Sequence, residues 1–513
     1  MKTILSLVII CICTIATQAQ IYTAEMIQNL NLNGGSNPRW LTVWDTTLYF
    51  MANDGTNGHK VFSMTPSTLP YLNPQLIGST VFGDGTVSTN QKMPVLNNNI
   101  YMPILAPQIG RELYSYNGIG IPSIVLDLNP GNGSSSPTNY LTYNNKLYFQ
   151  ANTPNLGSEL WVHDPIANTT QNLTDINPGI GHSTIAFTTL YNNKIYFAAS
   201  SGNDTLPTST GMELYCFDPI TNVTNIVADI NPGYLPSNPS ALMVHNGKLY
   251  FVANEPVYGK ELYSYDGSVI TRLTDVNPGP AQGVYTSDHS FPTYFNGSIY
   301  FAANDANNLI NLGRYDLTTN TASIIYCSGN GYSGNVRYFY VYDNQLFFTN
   351  QHPQTGYEIW ATDGLNSPYL VADIYPGLGS SLPKFYIAYN NSLYFNATND
   401  TSTAEELFRL YRKDVVVEPN STSTLDRRNS CSISPNPIQS SFDLTVNLLS
   451  AAAYSFQIID ETGKIFLQEK AIPFQQGSSK KSIRIHHLHK GNYILLLFNS
   501  NGEKVYTEKF TKL

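Results

Sequence analysis

A Leu/Ile-Tyr-Phe triplet recurs along the chain at nearly even spacing, and this constrains the fold more than any other feature. It stands at Leu48-Tyr49-Phe50, Ile100-Tyr101-Met102, Leu147-Tyr148-Phe149, Ile195-Tyr196-Phe197, Leu249-Tyr250-Phe251, Ile299-Tyr300-Phe301, Leu346-Phe347-Phe348 and Leu393-Tyr394-Phe395. Successive middle aromatics are 52, 47, 48, 54, 50, 47 and 47 residues apart. A fixed period of this size signals a repeat architecture. Just before the triplet comes a pair such as Asn144-Asn145, Asn246-Gly247 or Asp343-Asn344. Such pairs tolerate positive φ and make type I′ hairpin turns, so the triplet opens the second strand of a hairpin. About a dozen residues later comes Glu-Leu/Ile-aromatic, at Glu112, Glu159, Glu213, Glu261, Glu358 and Glu406. This reads as a third strand. A fourth runs into Asn-Pro-Gly, as at Asn129-Pro130-Gly131, Asn177-Pro178-Gly179, Asn231-Pro232-Gly233 and Asn277-Pro278-Gly279. Pro-Gly at the centre of a turn is a type II signature.

Four short antiparallel strands repeating near 48 residues predict a β-propeller. Helical solenoids would need apolar residues at a 3.6-residue period, and alternation dominates here. The count is seven or eight blades, and eight is the expectation. Residues 26–35 resemble a fourth strand and its turn, so the N-terminus is expected to complete the last blade and leave no open sheet edge. Val415-Val416-Val417 is a competing last strand. Two units are degenerate: the second has Phe82-Gly83-Asp84-Gly85 in place of the turn, and the sixth has Leu312-Gly313-Arg314-Tyr315 in place of the glutamate motif.

The 513 residues divide by pattern into 1–19, 20–413, 414–430 and 431–513. The first segment reads as a signal peptide: Lys2, an apolar run from Ile4 to Ile15 too short to span a bilayer, and Thr17-Gln18-Ala19 as a cleavage site. An uncleaved anchor is the alternative. No later stretch is apolar enough to cross a membrane. Residues 20–413 are the propeller. Residues 414–430 are a polar linker with Pro419, Ser421 and Ser423. The last 83 residues alternate as strands and predict a small Ig-like β-sandwich, so the fold class is all-β throughout.

Charge narrows the partners. Residues 431–513 hold 9 Lys+Arg against 6 Asp+Glu, and the remainder holds 18 against 30. So acidic a body argues against nucleic acid. Cys216, Cys327 and Cys431 are too far apart in sequence to form a disulfide framework or a zinc motif.

The six repeated glutamates invite a catalytic reading, but a residue present in nearly every blade serves the blade. Their expected role is a repeated hydrogen bond to backbone or hydroxyl beside the third strand. Asp127, Asp175, Asp229, Asp275 and Asp373 precede the Asn-Pro-Gly turns by two residues. Turn capping is the expected role; calcium is the alternative, although the remaining ligands of a calcium loop are missing. No cofactor is otherwise called for. A hydrolase or lyase site would need unpatterned acids converging at the central channel, and Asp84, Glu255, Asp288 and Asp305 are such acids. Most aromatics at repeat positions are expected to fill the space between blades, while Trp40 and Trp44 stand outside the strictest repeat and are the ligand-face candidates.

Two resemblances sharpen this. Glu358-Ile359-Trp360-Ala361-Thr362-Asp363-Gly364-Leu365 and Glu261-Leu262-Tyr263-Ser264-Tyr265-Asp266-Gly267-Ser268 resemble the ELWxxDGT repeat, departing at the last position. That resemblance covers most of residues 25–413 and implies a secreted or surface protein. The tail carries Pro435-Asn436-Pro437, an Asp460-x-x-Gly463-Lys464 turn, Leu488-x-x-Gly491-x-Tyr493 and a basic-aromatic end. It resembles the type A C-terminal sorting domain of the type IX secretion system of Bacteroidota. The resemblance implies recognition by that machinery, then release or attachment at the outer surface. The expectation is therefore a non-catalytic binding or adhesion propeller with a glycan or surface-protein ligand. The alternative is a polysaccharide-acting enzyme on the same scaffold.

Overall fold

The computed structural model describes residues 22–56, 58–65, 74–77, 92–202, 210–286, 290–329, 331–400 and 404–412, then 430–434, 438–448, 452–460, 464–475, 477–486, 488–498 and 504–513. The chain divides into two units, residues 1–413 and 414–513. The expected signal peptide, the linker and Val415–Val417 lie outside the described residues. All the described elements are strands.

The first unit contains eight antiparallel sheets of the expected make-up, which sets the count at eight blades. Blades 1 to 7 span residues 39–76, 95–126, 138–172, 186–228, 240–272, 284–325 and 337–372 in chain order. Blade 6 differs only in that its inner strand is split into Val284–Tyr285 and Thr293–Phe295. Blade 8 spans residues 384–412, and the strand Tyr22–Gln28 is its fourth, outer member. The hairpin pairs adopt the left-handed conformation that the sequence calls for: Asn144 and Asn145 have φ of 48° and 55°, Asn246 and Gly247 45° and 70°.

The triplet shows why the repeat closes into a ring. Side chains alternate across a strand, so its first and third residues share one face and the middle one takes the other. Leu147 and Phe149 pack with Tyr101 and Leu113 of blade 2. Tyr148 packs with Ile195 and Phe197 of blade 4. The same division holds at Leu48, Phe50 and Tyr49, and at Leu249, Phe251 and Tyr250. Each triplet thus binds its blade to both neighbours, and eight apolar clusters, one per blade junction, make up the core.

Closure rests on the chain ends. Tyr22–Gln28 runs antiparallel to Glu406–Arg412, with Tyr22 opposite Arg412 and Met26 opposite Phe408. Glu25 pairs with Arg409 at 2.5 Å, and the Tyr22 hydroxyl donates to Asp343 at 2.5 Å. Between blades 8 and 1, the Tyr389 hydroxyl lies 2.9 Å from the carbonyl oxygens of both Thr46 and Met64.

The second unit is an Ig-like sandwich. One sheet orders Ser430–Ser434, Ser441–Leu448 and Gly477–Arg484, and the other orders Ile465–Phe474, Ala452–Asp460, Gly491–Phe498 and Lys504–Lys512. Phe442, Leu444, Phe456, Ile458, Ile483, Leu495 and Leu497 form its core. The tail motif has a structural basis: Leu488 and Tyr493 are both buried in this core, and the Tyr493 hydroxyl donates to the His489 carbonyl at 3.1 Å. The Asp460 carboxylate accepts from the Lys464 N–H at 3.0 Å across its turn. Pro435-Asn436-Pro437 lies outside the described residues.

Candidate functional site: the loop face and its glutamate clamps

Each repeated glutamate opens into the loop that carries the chain from the outer strand of its blade to the inner strand of the next. All six are buried. Glu112 accepts from the Ser135 N–H at 2.7 Å, the Leu128 N–H at 3.1 Å and the Ser135 hydroxyl. Glu213 accepts from the Ser237 N–H at 2.8 Å, the Ile230 N–H at 3.0 Å and the Ser237 hydroxyl. Glu358 does the same with Ser381 and Ile374, while Glu159 accepts from the Ser183 and Thr174 hydroxyls and the Ile176 N–H. Glu406 takes Ser36 at 3.1 Å and Leu30 at 3.4 Å, so the clamp of blade 8 joins the two ends of the chain. The carboxylate spans the loop and ties its start to its end.

Two further repeat features fix the loop. Gly157, two residues before Glu159, has φ of +62°, and a Cβ there would lie 1.8 Å from the Gly181 carbonyl oxygen. Only glycine permits both that conformation and that approach. The turn aspartates cap: Asp175, Asp229 and Asp373 accept from the N–H of Gly179, Gly233 and Gly377 at 3.1, 3.1 and 3.2 Å.

The fixed frame presents a changing residue. Immediately after Pro-Gly stand Asn132, Ile180, Tyr234, Pro280 and Leu378, all exposed. Ile180 and Leu378 are 76% and 78% exposed, and Tyr332 of the degenerate sixth unit is 55% exposed. Apolar side chains at loop tips add nothing to the core, and they stand on one face of the ring.

Blades 1 and 6, which lack the glutamate, replace the clamp. Lys60 of blade 1 holds the glutamate position and pairs with Asp54 at 2.6 Å. In blade 6 the buried Asn311 takes it, its amide donating to the Leu309 carbonyl at 3.2 Å. In blade 5, Gly283 stands where the loops of the other five glutamates have serine, and the Glu261 carboxylate occupies the space a Cβ would fill.

Burial pushes these acids up, against the hydrogen bonds that favour their charge. Glu213 and Glu358 reach about 7, and Glu261, without a serine partner, about 8. The folded chain then keeps protons that the unfolded chain has released. Stability from these groups is complete below the ordinary glutamate range and is lost as pH rises through about 7 to 8. Burial lowers His163 and His352, and this opposes the trend only below about pH 6.5. The melting temperature of the propeller is therefore expected to fall between about pH 6.5 and about pH 8.5, and less steeply in a Glu261→Gln variant. Calorimetry across that range checks it; a flat or rising profile contradicts it.

Of the two ligand-face candidates, Trp40 is 1% exposed, and its ring sits edge-on to Tyr140 in the core between blades, so it offers no open face. In sequence Trp40 stands outside the strict repeat. The strand pairing puts it at a repeat position of the inner strand, where a β-bulge gives it φ of 57°. Trp44 is half-buried and leans on Tyr49 at 5.6 Å. Among the unpatterned acids, Glu255 is bonded to the Tyr263 hydroxyl at 2.7 Å and to Arg272 at 3.5 Å. Asp305 is buried and caps its own turn through the N–H groups of Asn307 and Leu309. Asp84 and Asp288 lie outside the described residues. Among the described residues, no three His, Cys, Asp or Glu side chains are grouped to hold a metal ion. Two parts of the clamp are not evident from the sequence pattern: the glycine two residues before five of the six glutamates, which Ala404 replaces ahead of Glu406, and the serine across the loop. The shared Gly-x-Glu spacing is the signal that points to the glycine.

Residues 432–512 match the secretion system C-terminal sorting domain family. No curated protein matches the chain. Among solved structures, PorZ of Porphyromonas gingivalis, a surface component of the type IX secretion system, aligns over 94% of this chain and 59% of its own at 12% identity and a TM-score of 0.38. A puromycin-hydrolyzing peptidase of Mycobacterium tuberculosis covers 70% and 57% at 11% identity and 0.41. Sqt1 of Saccharomyces cerevisiae covers 76% and 97% at 10% and 0.44. The chain spans less than two thirds of the length of the first two. At these identities and scores the likeness carries no functional argument.

Fold and tail together define a class: an exported β-propeller with a C-terminal sorting domain. The tail marks this chain for the type IX secretion machinery and for the outside of the cell, secreted or attached at the surface.

Proposed function

We propose that the protein is a non-catalytic binding or adhesion propeller that engages a glycan or a surface protein through its loop face. One observation carries the reading: buried clamps hold the loops in a common frame while the residue at each tip changes from blade to blade. Repeat proteins use constant frames with variable tips as extended binding surfaces. The repeated carboxylates are committed to that frame, and Glu255 and Asp305 are committed to local bonds, so they are poor material for acid–base work.

We also read the repeats as ELWxxDGT-like, because each letter kept here before the last has a part in the blade. In blade 7 the glutamate clamps the loop, and Ile359 and Trp360 enter the cores on either side. Asp363 accepts from the Leu365 and Asn366 N–H groups at 2.9 and 2.8 Å, and Gly364 takes φ of +80°.

The test is incubation of the purified full-length protein with a panel of polysaccharides and surface glycoproteins, scoring retention and released sugar together. Saturable retention without release is expected. Release of sugar would favour the hydrolase or lyase alternative.

A further inference from the structure

The inner strands line the ring axis, and blade 2 departs from the rest there. Its inner strand is two residues long, Val95–Leu96, where those of blades 1, 3, 4, 5, 7 and 8 have six. The pairing of each inner strand with its triplet aligns one residue per blade at the bulge position: Trp40, Lys92, Asn139, Phe187, Ala241, Phe291, Tyr338 and Phe385. Five are aromatic. Four of them meet in pairs: Phe187 reaches Phe291 edge-on at 5.6 Å, across the blade that carries only Ala241, and Tyr338 meets Phe385 at 5.5 Å. Six of the eight have φ between 54° and 62°. Blade 2 alone puts a charge in this collar.

Beside Lys92 lies a cavity of about 340 Å³, lined by inner-strand residues of blades 1, 7 and 8 and by the stretch that leads into the inner strand of blade 2. Its walls are Val43, Met93, Pro94, Val95, Ile387 and Ala388, with Thr42 and Tyr340 as hydroxyls. That volume suits a small molecule. Lys92 is the one charged group lining it, and no described carboxylate pairs with it. Water reaches its side chain, while the surrounding walls lower its pKa by desolvation. The Thr42 hydroxyl is committed, donating to the Trp40 carbonyl at 3.1 Å and accepting from the Met93 N–H at 2.8 Å. The Tyr340 hydroxyl accepts from the Ala388 N–H at 3.0 Å, which leaves its own proton to give. The cavity thus offers two donors, one of them cationic, on apolar walls, inside an otherwise acidic unit.

We propose that this cavity binds a small organic carboxylate with a compact apolar body, its charge on Lys92 and Tyr340 and its body against Val43, Val95 and Ile387. The inference rests on the reading of the protein as a binding propeller but concerns the axis, not the loop face. A partly desolvated cation facing apolar walls gains most from an anion that brings its own apolar surface.

The probe is phenylacetate, titrated calorimetrically into the full-length protein, with phenylacetamide as its neutral counterpart. Saturable binding of the acid is expected, with the amide weaker by about tenfold or more. Lys92→Met is expected to remove the preference for the acid without moving the melting temperature, and Tyr340→Phe to reduce it. Equal binding of acid and amide, unchanged preference in Lys92→Met, or no saturable binding of the acid overturns the proposal. Should Lys92→Met fail to fold, the acid–amide comparison on the unaltered protein decides alone. Retention on surface glycoproteins is scored separately, so loss of this site leaves the loop-face reading standing.

Discussion

Glu358→Ala lowers the stability of the propeller by about 2–4 kcal/mol. One carboxylate oxygen takes the Ser381 N–H at 3.0 Å; the other takes the Ile374 N–H at 2.9 Å and the Ser381 hydroxyl at 2.5 Å. Truncation strands these donors where water cannot replace the acceptor, since Ser381 and Glu358 are both fully buried. It also frees the loop between blades 7 and 8 at both ends. Glu261→Ala costs less, because its loop has Gly283 in place of serine and the Thr274 hydroxyl, at 2.5 Å, is its main side-chain donor. Denaturant titration of the two variants beside the parent checks the order. A loss below about 1 kcal/mol for Glu358→Ala contradicts the clamp.

Deleting residues 1–28 has the larger consequence, converting a closed ring into an open, aggregating one. The last blade keeps three strands, and Glu406–Arg412 becomes an open edge of unpaired N–H and C=O groups. Tyr22, 2% exposed and edge-on to Phe347 at 5.6 Å, leaves a gap in the core between blades 7 and 8. Arg409 loses Glu25, and Asp343 loses the Tyr22 hydroxyl. The Ser36 and Leu30 bonds to Glu406 remain in this deletion, so the blade 8 loop stays clamped while the sheet edge opens. Size-exclusion chromatography and thermal unfolding are the readouts. A monomer with the melting temperature of the parent contradicts the closure described above.

Most of the architecture is legible in the sequence because it repeats. A triplet met eight times reports a strand, its period reports a blade, and the odd phase of residues 26–35 reports closure. The loop face is half legible. The glutamates stand out, but their partners do not: Ser135, Ser237 and Ser381 lie 23 or 24 residues downstream, in a stretch where serine is common. Trp40 misleads because the residue type at its inner-strand position changes from blade to blade, so a repeat position looks like an exception. The axial collar is invisible for a related reason. Its members are Trp, Lys, Asn, Phe, Ala, Phe, Tyr and Phe, and only pairing with the next strand puts them in one layer. The two degenerate units are visible as departures, and the cavity beside Lys92 lies next to the first of them.

The central claim is that variable tips on a clamped face bind a partner at the cell surface. It is tested most directly by a loop-face variant carrying Ile180→Ser, Tyr234→Ser, Tyr332→Ser and Leu378→Ser, compared with the parent for retention on surface glycoproteins and polysaccharides. These residues are exposed, so the variant should fold and melt as the parent does. Retention by the parent, lost in the variant at equal stability, is the predicted result. Equal retention by both would place binding elsewhere on the molecule and contradict the account.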